Sequence, residues 1–181
     1  MKSRVQALLG FVVLAAIATA TTVVPMSVER LTSISSHVVE GKAVQTWSAW
    51  DPSHAMILTY TKFQVQRALK GQPGGVVVVK QLGGRVGAMT QKVAGIHHWQ
   101  PGEEALLFLR PGMARDGTLV VTGTIQGNFL VRVAEDGTRI ASNGMPEVSA
   151  YSASTGAVSP FGGNRMALKD LESRVLKAVQ Q

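Results

Sequence analysis

The chain contains no cysteine, so no disulfide framework holds it, and its stability has to come from a hydrophobic core and from ladders of strands. Charge is also sparse, at 16% of 181 residues against a hydrophobic share of 45%. No internal repeat and no nucleophile elbow around a serine can be found in it, which leaves triads assembled on paper from Asp51, His54 and one of the serines without structural context. What the chain has in quantity is Val, Thr and Gly, a stock that favours half-buried strands over a helical bundle. At this length one core is the default, and it is large enough to need no metal or disulfide staple.

The only long apolar stretch lies at the start. Lys2 and Arg4 precede an apolar run from Ala7 to Ala18, and Ala18-Thr19-Ala20 has the small residues a signal peptidase accepts. The expectation is an export signal over residues 1–20, giving a secreted or periplasmic protein; a retained anchor drawn from Val5 to Val24 is the alternative, being close to the ~20 residues a spanning helix needs. Cleavage removes Lys2 and Arg4 and lowers the formal charge from +7 to +5, so the mature chain stays basic. Contact with a membrane is expected only through an uncleaved N-terminal segment.

The organising stretch is Met56 to Gly71. Ile57, Thr59, Thr61, Phe63 and Val65 fall on one side of an extended backbone, and Tyr60, Lys62, Gln64 and Gln66 on the other, the period-two pattern of a strand with one buried face. A one-residue slip would turn Phe63 and Val65 to water, so this strand sets the register of its neighbours. Before it, residues 21–36 form a lead-in with a short helix over Pro25–Ser36, N-capped by Ser27 and turning Val28, Leu31 and Ile34 inward. His37–Trp47 is the preceding strand, with Gly41 marking a bulge or a close backbone approach, and Asp51-Pro52-Ser53 is the turn between the two.

After the Gly71–Gly75 turn, Val76–Val79 and Ala105–Leu109 read as strands apolar on both faces. Gly83-Gly84-Arg85-Val86-Gly87 leads into strand-like Met89–Val93 and not into a helix, so it is a loop or kinked hairpin rather than a phosphate cradle. Asp116-Gly117 and Asp136-Gly137 mark hairpins. Residues 143–165 have too little periodicity for a regular element and are expected to form a surface loop. Residues 166–181 are expected as a helix that packs Leu168, Leu171, Val175, Ala178 and Val179 on the sheet. Residues 37–142 then make a mainly β, OB-like barrel of about six to eight strands, closed to remove exposed edges, with a short N-terminal and a C-terminal helix.

Four phrases carry a family likeness: SSHVVEGKAV, YTKFQVQRALKG, QPGEEALLFL and GTIQGNFLVRV, spread from Ser35 to Val133. In these the chain resembles the netrin-like OB barrel, the fold of the tissue inhibitors of metalloproteinases, and is similar to bacterial secreted proteins of unassigned activity. The phrases are made of strand and turn residues, so the resemblance implies a barrel architecture rather than an activity. Those inhibitors chelate a protease zinc through an amino-terminal cysteine, which this chain lacks; Thr21 at a new N-terminus offers an amine and a hydroxyl, a poorer ligand set. No functional residue of the family carries over.

Two constellations remain. His97 and His98, with His37 or His54 as a third group, are the candidates for a metal or a His-based hydrolase, although adjacent residues on a strand point apart. Glu103-Glu104 diverge for the same reason. Trp47, Trp50, Tyr60 and Lys62, with Arg67, Lys70 and Lys80 near in sequence, combine aromatic and basic groups suited to a partner protein or an anionic surface polymer; the plainer reading is that Trp47 is core and the lysines solvate an outer face. Export argues against nucleic acid as the ligand. The expectation is an exported, non-enzymatic binding protein without a cofactor, whose partner is an extracytoplasmic protein, a protease among the options, or an anionic polymer.

Overall fold

The computed structural model describes residues 22–114, 116–145 and 148–181; the expected export signal lies outside them. In chain order the elements are β1 (Thr22–Val23), α1 (Val28–Ile34), β2 (His37–Trp50), β3 (Ile57–Lys70), β4 (Val76–Leu82), β5 (Gly84–Val86) and β6 (Met89–Gln91). They continue with β7 (Glu104–Pro111), β8 (Leu119–Val121), β9 (Asn128–Val133), β10 (Arg139–Ser142), β11 (Ser149–Tyr151), β12 (Val158–Pro160), β13 (Arg165–Ala167) and α2 (Leu168–Val179).

The alternation of β3 is realised as read: Ile57, Thr59, Thr61 and Phe63 are buried while Tyr60 and Lys62 stand on the other face. Its partners are β2 and β4, both antiparallel. β2 also pairs with β7, β7 with β8, and β8 lies parallel to β4. The order β2-β3-β4-β8-β7 therefore returns to β2 and closes a five-stranded barrel, with the parallel contact and strand order of the OB type. Beyond β7 the same sheet runs on through β9, β10 and β13.

Alternation explains why β7 is apolar throughout. Ala105, Leu107 and Leu109 join Val39, Ala43, Phe63, Val77, Val79 and Trp99 inside the barrel. Leu106 and Phe108 point outward and meet Val28 and Leu31 of α1 and Leu171 and Val175 of α2. Both helices thus cover one flank of the barrel, where each fully buried side chain contributes on the order of 2 kcal/mol. Bulges let one long ribbon serve two cores: shifts between Val38/Val39, Glu40/Gly41 and Ala43/Gln45 turn Val38 and Leu69 toward the helices while Val39 and Phe63 stay inside. Gly41 is both at a bulge and at a close approach, since a Cβ there would meet the Gln64 carbonyl at 3.0 Å.

Several expectations need correction. Val76–Val79 is not buried on both faces: Val77 and Val79 are interior, but Val76 is 45% exposed, because no helix covers the β4 flank. The described part of residues 143–165 is not an irregular loop throughout. β11 and β12 pair antiparallel, β1 adds parallel to β11, and Val148 and Phe161 pack on Ile125 beneath them. The final helix begins at Leu168 because Arg165–Ala167 pairs with β10 first, and Val179 lies outside its buried stripe. In α1, Ser27 does accept from the Arg30 N–H at 3.1 Å, but the helix is one short segment and Ile34 at its end is exposed.

Candidate functional site

Among the described residues, the flank of β2, β3 and β4 facing away from the helices is left uncovered. Its outward residues follow from the register. Trp47, Tyr60 and Lys80 form one row across the strands, Gln45, Lys62 and Val78 the next, and Ala49, Leu58 and Leu82 a third. Cross-strand neighbours on one face lie within side-chain reach, and the Trp47 and Tyr60 rings stack with centroids 5.5 Å apart and planes 13° from parallel. Trp47 is 39% and Leu82 46% exposed. Trp47 is therefore not a core residue.

The charges on this wall are unequal. Lys80 is held by Asp116 at 2.5 Å, and that contact, with the Thr118 hydroxyl and N–H, keeps the Asp116 carboxyl well below the usual carboxylate range. Lys62 enters none of the ion pairs among the described residues. Arg67 pairs with Glu172 of α2 at 2.8 Å, and Lys70 donates to the Thr32 carbonyl at 2.6 Å. Of the basic residues near in sequence, Lys62 is thus the one that stays beside the aromatic pair without a carboxylate.

Trp50 does not join Trp47. Three residues on, with no register shift between them, it points to the opposite face and stacks on His54 with centroids 6.2 Å apart. His54 has a left-handed backbone, φ 55°, in a loop organised by Asp51. One carboxylate oxygen accepts from the Ala55 and Met56 N–H groups at 2.7 Å each, the other from the Ser53 hydroxyl and N–H. The Ser53 hydroxyl first, then the backbone donors, hold this carboxyl down at about 2. The loop is a built Asx turn.

The two adjacent histidines are kept apart by different partners. His97 Nε2 lies 2.9 Å from Glu103 Oε2, which also accepts the Gln100 N–H at 2.7 Å. His98 Nε2 lies 2.9 Å from the Leu82 carbonyl, the geometry of an Nε2–H donor. His37 meets the Ser36 hydroxyl. Among the described residues no group of three or more His, Cys, Asp or Glu side chains is gathered as a metal would require. Glu104 faces Arg139 at 2.7 Å, away from Glu103, as alternation at the strand entrance demands.

The residue that sequence reasoning underused is Trp99. It is fully buried, meets Phe63 edge-on at 4.9 Å, and donates from Nε1 to Asn128 Oδ1 at 3.2 Å. It plugs the barrel below an end where Ser48 and Thr59 share a hydrogen bond of 2.9 Å. Above these hydroxyls, the β5–β6 hairpin and the following strap leave a cleft of ≈ 710 Å³ lined by Arg85, Lys92 and His98 among others. Polar residues at inward positions of β2 and β3 were the available signal for it. In comparisons with known proteins the chain matches no family model and no curated protein sequence.

Proposed function

We propose that this is an exported binding protein that recognises its partner with the bare wall of the barrel, Trp47, Tyr60 and Lys62 at the centre. The observation that carries the reading is the stacked Trp47–Tyr60 pair, left partly exposed on a flank that neither described helix covers. Rigid aromatic anchors flanked by a cation are what interfaces concentrate, and OB barrels use the corresponding strands and loops for their ligands. The partner that fits is an extracytoplasmic protein presenting an apolar patch beside acidic groups. The netrin-like resemblance, which rests on the four sequence phrases alone, puts a protease among the partners to be tested. An anionic polymer is the competing ligand, favoured by the basic balance of the chain.

The export signal belongs to the same proposal. Mass spectrometry of protein recovered from outside the cytoplasm should give a chain starting at Thr21, and the full-length mass would establish the anchored form. A photo-crosslinking residue at Val78, in the row next to Trp47, should trap one partner from envelope extract and lose it in Trp47→Ala. Trapping that is unchanged in Trp47→Ala would refute the assignment of this face. Trapping that falls steeply with salt and yields polysaccharide would move the partner to the polymer class. A second reading, a hydrolase built on His97 or His98, draws its support from the 2.9 Å imidazole–carboxylate contact of His97 with Glu103; hydrolysis abolished by His97→Ala would establish it.

A further inference from the structure

Where the sheet runs past the barrel through β9, β10 and β13, its two faces are unalike. Phe129, Val131 and Ala141 turn to the helices, so by alternation Asn128, Leu130, Arg132 and Ser142 share the opposite face. Arg165 joins them, since Ser142 pairs with Leu130 on one side and with Arg165 on the other. These five residues line a cavity of ≈ 190 Å³, smaller than the about 300–1,000 Å³ of drug-sized ligand sites and suited to a group of few atoms. Arg132 and Arg165 are exposed and enter none of the ion pairs among the described residues. No described acid lines the cavity. One lining residue is a buried amide: Asn128 is 3% exposed, and Trp99 Nε1 donates to its Oδ1 at 3.2 Å, which settles which end of the amide is oxygen. Its Nδ2 donates to no described residue. Among the described residues the enclosed side-chain atom without a partner lies elsewhere, on Gln81, so Asn128 Nδ2 reaches solvent, and the cavity that Asn128 lines is its opening.

We propose that this cavity binds a dianionic phosphate group, whose oxygens accept from the Arg132 and Arg165 guanidiniums, from Asn128 Nδ2 and from the Ser142 hydroxyl. Guanidinium forks match the oxygens of a phosphate two at a time, and a lining of donors without a carboxylate favours the anion of higher charge. The wall beside Ser142 is held in place. A Cβ on Gly144 would collide with the Gly162 carbonyl, so only glycine lets these two backbones cross there. Asn143 accepts from the Asn164 N–H at 2.6 Å and donates to the Gln126 carbonyl at 2.6 Å, which fixes the approach to Arg165. The same chemistry occurs in free inorganic phosphate and at the end of a phosphomonoester. The site stands on the sheet extension, away from the wall of β2, β3 and β4, and does not depend on what that wall binds.

The test is titration of the whole chain, followed by amide NMR at constant ionic strength, with inorganic phosphate, glucose 6-phosphate and acetate. Saturable shifts at Asn128, Ser142 and Gly144 are expected with phosphate, with affinity about tenfold lower for acetate, which carries one charge and two oxygens. Arg132→Gln and Arg165→Gln each remove a charged fork and should each lose about tenfold in phosphate affinity. Asn128→Asp keeps an oxygen for Trp99 but sets a like charge against the anion, so it should abolish binding. The two arginines are exposed, so their variants should fold as the parent does, and they decide the outcome if Asn128→Asp does not fold. Arg110→Gln removes one positive charge outside the cavity and should change the affinity less than about twofold. Tighter binding of glucose 6-phosphate than of inorganic phosphate identifies a monoester as the source; equal or weaker binding identifies the free ion. No saturable shift with either phosphate at millimolar concentration overturns the site, as does acetate binding as tightly as phosphate, or a loss in Arg110→Gln equal to those in Arg132→Gln and Arg165→Gln.

Discussion

Trp99 and Trp47 show how position decides what a tryptophan does. Trp99 fills the barrel with no exposed surface and has Phe63 and Asn128 as partners, so Trp99→Ala removes both its transfer energy and the surrounding packing. A loss of about 3–5 kcal/mol is expected, read as a lower midpoint in urea with an unchanged slope. Trp47→Ala, on the outer wall, should cost under about 1 kcal/mol. Asp51 works through its charge. Its carboxyl sits at about 2 against an ordinary 3.8, so the folded pKa is depressed: the ordering of the 51–56 loop is fully present above the unfolded value and is lost as pH falls through about 2. The Ser53 and Met56 amide shifts should titrate with a midpoint near 2; a midpoint near 4 would show that the carboxylate is not bonded as described.

Among the elements, the strands are held together on the clad flank by one guanidinium. Arg139 of β10 reaches Glu40 of β2 at 2.6 Å and Glu104 of β7 at 2.7 Å, linking strands that are not neighbours in sequence. Burial works against its charge, but the two carboxylates more than offset this and raise its pKa. The Glu40 side chain is 7% exposed. Arg139→Met therefore leaves a buried carboxylate without its partner and should cost about 3 kcal/mol, whereas Arg67→Met, which frees Glu172 from a half-exposed arginine, should cost about 0–1 kcal/mol. Chemical denaturation of the two variants side by side checks the ranking. Elements of this length were legible where the period was long enough to count. β3 shows its alternation over seven residues from Ile57 to Phe63, and β7 shows two buried faces because it separates barrel interior from helices. β11 and β12, at three residues each, contain no countable period; only their pairing with each other and with β1 makes them strands. The valine run of β4 misled for another reason, since a sequence cannot say which flank of a barrel the helices will cover.

For the molecule as a whole, that choice of flank is the functional statement. Two helices dock on the outside of β7 and its neighbours, and the wall of β2, β3 and β4 is left to solvent. The pairing of Trp47 with Tyr60 was readable as two aromatics near one another, but the separation of Trp50 from them was not, because it depends on a register unbroken after the Val44 bulge. The histidines behave likewise: adjacency in sequence suggested a shared task, and the fold gives each its own partner. The opposed directions of Trp47 and Trp50 also provide the sharpest control. The decisive measurement is the affinity of the captured partner for Trp47→Ala and for Trp50→Ala, each verified as folded. The bare-wall account predicts a loss of at least tenfold for Trp47→Ala and less than threefold for Trp50→Ala; equal losses, or a larger loss at Trp50, would contradict it.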